Sequence, residues 1–65
     1  MLMIDTTELN LVMARKQLTI RAAAKKAKLT PNTFYTVMKK GTVTPVTLGK
    51  IADALEVDPA EIVAK

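Results

Sequence analysis

Sixty-five residues, with ten Lys and Arg against six Asp and Glu, carry a formal charge of +4, and the chain has neither histidine nor cysteine. That excludes a disulfide framework, a thiolate or imidazole metal site and the commonest general base. A single domain of this size buries only about 60% of the surface its unfolded chain exposes. Its stability leans on helix propensity, caps and a partner subunit.

The chain opens on Met1 to Ile4, apolar but too short for a signal peptide or a spanning segment. A cytoplasmic protein without a membrane partner is expected, with residues 1–5 as an arm or a short strand. Asp5-Thr6-Thr7-Glu8 has the spacing of a capping box and opens a first helix over 6–16. Leu9, Val12 and Met13 share one face of it, and Lys16 carries the stripe to the edge.

Thr19 caps a second helix over 20–28, where Ile20, Ala23, Ala24 and Ala27 recur at helical spacing. Thr30-Pro31 starts a third over 31–40, because proline at the first helical position loses no hydrogen bond. Phe34, Val37 and Met38 point inward there, with Leu29 just before them. Gly41 closes this helix after Lys39 and Lys40, whose charge suits the negative end of the helix dipole. Thr42-Val43-Thr44 is a connector, and Val43 and Val46 are expected to cover the bottom of the core.

Thr44-Pro45 opens a fourth helix over 45–56, with Leu48, Ile51, Ala52 and Leu55 on its inner face. Asp58-Pro59-Ala60-Glu61 is a second capping-box spacing and opens a fifth over 59–64, with Ile62 inward. Each cap contributes roughly 1 kcal/mol. Period-two runs are almost absent, which argues against a sheet. The expectation is an all-α, compact five-helix domain spanning residues 1–65.

The most informative stretch runs from Leu18 to Gly41: an alanine-rich helix, a tight turn, and a helix with a polar, aromatic and basic free face. That is the layout of a helix-turn-helix, whose second helix enters the DNA major groove. Arg15, Lys16, Arg21, Lys25, Lys26, Lys28, Lys39 and Lys40 cluster between positions 15 and 40, with no acid between Glu8 and Asp53. Such a block is the electrostatic footprint of a nucleic-acid-binding face, although a face that merely aids solubility carries the same charge.

At 100 degrees per residue, the outward face of the third helix holds Asn32, Thr36 and Lys39, flanked by Thr33 and Lys40 on one side and Tyr35 on the other. Asn32 can pair with adenine N6 and N7, and a threonine offers a hydroxyl to a base or a methyl to thymine. Tyr35 can stack or hydrogen-bond at a groove edge. Lys39 and Lys40 can reach phosphates, as can Lys28 near the turn. On the second helix, Thr19 and Arg21 stand at the N-terminal end, which itself attracts anions. Base reading is thus assigned to Asn32, Thr33, Tyr35 and Thr36, and phosphate binding to Thr19, Arg21, Lys28, Lys39 and Lys40. Lys25 and Lys26 read as solubility residues.

With those residues in view, the chain resembles the Cro/C1-type (XRE-like) helix-turn-helix family of phage and plasmid repressors, as a short stand-alone member. The resemblance runs from about Leu9 to Val63. Its landmarks are Leu18-Thr19, Ala24, Leu29-Thr30, Phe34, Val37, the run Leu48 to Val57 and Asp58 to Ile62. It implies a lambda-repressor-like fold, with helices two and three as the helix-turn-helix, and a sequence-specific transcriptional regulator of repressor type. It places the family's base-reading positions on Pro31, Asn32, Thr33, Tyr35 and Thr36, and its phosphate site on Thr19 and Ile20. Four departures from the family pattern involve five positions. Ile20 and Pro31 stand where glutamine is common, and Lys28 takes the place of the usual turn glycine, so it must bear a positive φ or accept another turn. Met13 and Met38 replace an arginine–glutamate pair and are expected to touch in the core.

The implied partner is a double-stranded DNA operator bound by a weak homodimer, joined through Val57, Ile62 and Val63 or through Met1 to Ile4. The competing class is a protein-interaction module of the same fold, an antitoxin or antirepressor, but no toxin-binding extension is evident. An enzyme is not expected: without His or Cys, and with acids at caps and ends, no nucleophile–base pair or metal cluster assembles. No cofactor is implied. RNA stacking is poorly served by one exposed tyrosine and one inward phenylalanine.

Overall fold

A computed structural model describes residues 2–64. Each helix begins where a capping side chain accepts a hydrogen bond from a backbone N–H that the helix leaves unpaired. Helix α1 (Thr6–Arg15) is capped by Asp5, which accepts from the Glu8 N–H at 3.0 Å. Thr19 caps α2 (Ile20–Lys26) through the Ala22 N–H at 3.1 Å, and Thr30 caps α3 (Pro31–Lys40) through Thr33 at 3.2 Å. Thr44 does the same for α4 (Pro45–Leu55) at 3.3 Å. Half of the first expected capping box forms, because the Asp5 N–H donates to the Ile62 carbonyl rather than to Glu8. Glu8 instead faces Arg15 in an exposed ion pair at 3.7 Å, a contact of little energetic weight.

The helix ends are less conventional. Gln17, Lys28 and Glu56, none of them glycine, take left-handed φ values of 54°, 59° and 57°. The residue after each turns back to donate to the carbonyl five positions earlier: Leu18 to Met13, Leu29 to Ala24 and Val57 to Ala52, at 2.9, 2.8 and 3.0 Å. Those same three residues pack half-buried on the core. This is the Schellman closure with its usual apolar contact, and it offsets a left-handed cost of about 1–2 kcal/mol per residue. Gly41 ends α3 in the same region, at φ 71° and without that cost.

The expected fifth helix does not form. Pro59–Glu61 is a single 3-10 turn, held by a complete capping box between Asp58 and Glu61. Beyond it Ile62 ends the turn at φ −114° and ψ 6°, and the chain pairs with the N-terminal arm at the β-branched Val63. Ile4 and Val63 form an antiparallel bridge, and the Ala64 N–H donates to the Met3 carbonyl at 2.9 Å. On its other side the arm is strand β1 (Leu2–Met3), antiparallel to β2 (Thr42–Val43), with Leu2 opposite Val43 and Met3 opposite Thr42. Among the described residues the fold is therefore four α-helices and a small two-stranded sheet, with a single bridge tying the two ends together, not an all-α bundle of five.

Phe34, Leu9, Ile51, Leu55, Ile62 and Val12 are fully enclosed at the centre. Met13 is buried and Met38 packs against the same cluster, so both substituted positions contribute to an apolar core. Among the described residues no polar or charged side chain is buried. Val43 lies in the core as expected, whereas Val46 stands 70% exposed at the start of α4. Ile62 cannot serve a dimer surface, since it is wholly inside. Val57 and Val63 are half-buried, Ile4 is buried, and Met1 lies outside the described residues. Of the apolar arm, Leu2 and Met3 remain at the surface.

Candidate nucleic-acid interface

Helices α2 and α3 pack on each other through their small and apolar sides, Ala23, Ala24 and Ala27 against a helix whose inner face is Phe34 and Val37. Alanine here lets the two backbones approach, and the four-residue turn from Ala27 to Thr30 then fixes how α3 leaves the body. The left-handed Lys28 makes that turn, its side chain in solvent.

The outer face of α3 is fully exposed along its length: Pro31, Asn32, Thr33, Tyr35, Thr36, Lys39 and Lys40. Their hydroxyls are already partly engaged. Thr36 Oγ1 donates to the Asn32 carbonyl at 2.9 Å, and the Thr30 and Thr33 hydroxyls share one hydrogen across 2.9 Å. The Asn32 side-chain amide has no partner among the described residues, which leaves a donor and an acceptor facing outward. On α2, Arg21, Lys25 and Lys26 are exposed. Thr19 spends a lone pair on its cap and keeps its O–H hydrogen for an incoming oxygen. Ile20 is turned against the core, so it cannot take over the phosphate role of the glutamine it replaces.

Thr33, Thr36 and Lys40 come together at a groove between α3 and the connector, floored by Val37 and Val43. Asn32, Tyr35, Lys39, Lys28, Thr19 and Arg21 lie outside that groove, on the exposed surface of the two helices and their turn. The far wall consists of Thr42, Thr44 and Thr47, residues that the helical pattern alone did not single out. Their signal was a threonine-rich connector directly after Lys39-Lys40. Thr44 donates its hydroxyl to Thr47 Oγ1 at 3.0 Å, so Thr47 keeps a free hydroxyl hydrogen on that wall. The acids gather elsewhere, with Asp5, Glu8 and Glu61 lining a separate depression beside Val63.

A family model described as the Cro/C1-type HTH DNA-binding domain matches residues 8–64. The chain belongs to that family. It is a DNA-binding transcriptional regulator in the general sense its family implies, with the helix-turn-helix carried by α2 and α3. A search of curated proteins and a search of solved structures each found no match. Among the described residues, no helix of this Cro/C1-type domain is long and apolar enough to cross a membrane.

Proposed function

We propose that this Cro/C1-type domain is a sequence-specific double-stranded DNA-binding repressor that works in the cytoplasm by placing α3 in the major groove. The observation that carries this reading is the exposed, acid-free outer face of α3 beside a basic α2. Asn32, Thr33, Tyr35 and Thr36 meet base edges. Thr19, Arg21, Lys28, Lys39 and Lys40 hold phosphates and set the register. Repression then needs nothing beyond occupancy of an operator that overlaps a promoter.

One α3 spans too few base pairs for useful specificity, so the working form is a weak dimer on a near-palindrome. The apolar residues assigned to it are Leu2 and Met3 on β1 and the half-buried Val57 and Val63. Sedimentation is expected to show a monomer–dimer equilibrium shifted by Leu2→Lys with Met3→Lys. Monomer alone at high concentration refutes the dimer.

The four cationic phosphate-binding side chains, Arg21, Lys28, Lys39 and Lys40, give a log–log salt slope of about −3.6 per subunit, at about −0.9 per neutralised phosphate. A salt titration of binding to duplex DNA tests this, and a slope near zero overturns the assignment. For repression, the bound site placed across a promoter is expected to lower reporter output, and raised output contradicts it.

A further inference from the structure

Threonine can address a base through its hydroxyl or its methyl, and the side-chain geometry of α3 separates the two. We propose that Thr36 reads DNA through its γ-methyl group, packed on a thymine 5-methyl, and not through its hydroxyl; this rests on the reading that α3 enters the major groove. A hydroxyl has one hydrogen, and that of Thr36 is given to the Asn32 carbonyl at 2.9 Å. What remains on the oxygen is acceptor capacity, which only the adenine N6 and cytosine N4 donors can use. The purine N7, guanine O6 and thymine O4 atoms in the major groove are themselves acceptors, so none of them gains a partner from Thr36.

Against a thymine, the methyl is the group left to make the contact. Thymine alone of the four bases puts a methyl group into the major groove. The surroundings favour the same contact. Thr36 borders a groove floored by Val37 and Val43, and its neighbour Thr33 is hydrogen-bonded to the Thr30 hydroxyl. Proline at position 31 offers no side-chain donor either. Thr36 therefore has an apolar floor beneath it, and Asn32 beside it supplies the directional hydrogen bonds.

The test uses the duplex recovered by selection from random double-stranded DNA, synthesised with thymine and then with deoxyuridine, which lacks the 5-methyl, at each half-site thymine in turn. Wild-type binding is expected to fall about fourfold at one position, the ratio that corresponds to about 0.8 kcal/mol for one buried carbon group. Thr36→Val keeps a methyl and loses the hydroxyl, and is expected to preserve that ratio. Thr36→Ser keeps the hydroxyl and loses the methyl, and is expected to bring it to about one. Position 36 is exposed, so both variants leave the core intact, which their melting curves check. A wild-type ratio near one at every thymine overturns the inference but leaves α3 as the DNA reader. So does a ratio kept by serine and lost by valine. Recovery of no preferred duplex overturns both.

Discussion

Lys28→Gly separates what the turn between α2 and α3 costs from what it does. Lys28 holds φ at 59°, a conformation that costs a side-chain-bearing residue about 1–2 kcal/mol. Glycine removes that strain but gives the unfolded chain more freedom, which takes back about 0.4–1 kcal/mol. The net gain is about 0.5–1 kcal/mol, and at about 4–8 °C per kcal/mol for a domain this small it raises Tm by about 3–6 °C. The same change deletes one phosphate-binding charge, so the log–log salt slope loses about 0.9 in magnitude. Thermal melts followed by circular dichroism and salt titrations of DNA binding measure the two effects. Lys28→Ala is the control: it keeps the strain and drops the charge, so the slope falls without the gain in Tm. A Tm that stays level or drops in Lys28→Gly refutes the strain argument. An unchanged slope in both variants removes Lys28 from the phosphate contacts.

Met13→Arg places a lone charge in an apolar core and is expected to destabilise by about 3–5 kcal/mol, read as a large fall in Tm. Adding Met38→Glu restores part of that loss if the two side chains meet. An unchanged melt in the single variant, or no recovery in the double, contradicts their pairing. Asn32→Ala is expected to cost about 1–3 kcal/mol at one preferred base and to relax selectivity there. An equal loss on every sequence means that Asn32 positions the helix without reading a base.

The helix starts were legible because they are local: a Thr or Asp before a proline or a helical stripe states its own cap, and all four α-helices begin where those residues sit. So was the turn at Lys28, since a lysine standing in a glycine position forces the choice between strain and a different turn. Gln17 and Glu56 gave no such signal, because side chains at left-handed positions look like any other polar residue. The sheet escaped for another reason. Its strands are two residues long, too short to show alternation, and they join positions about forty residues apart. Ile62 fits a helix face, yet it ends the 3-10 turn, and the arm pairs with Val63 beyond it. At the site, the exposed face of α3 followed from periodicity, as the burial of Phe34 and Val37 bears out. The engagement of the Thr36 hydroxyl did not, since it depends on a rotamer.

The decisive measurement is selection from random duplex DNA at near-physiological salt, followed by sequencing. An inverted repeat is expected, with half-site centres about one helical turn, about 34 Å, apart, as two copies of α3 in successive major grooves require. Recovery of nothing above background would contradict sequence-specific reading by α3 and leave a basic surface with counterion-driven affinity alone.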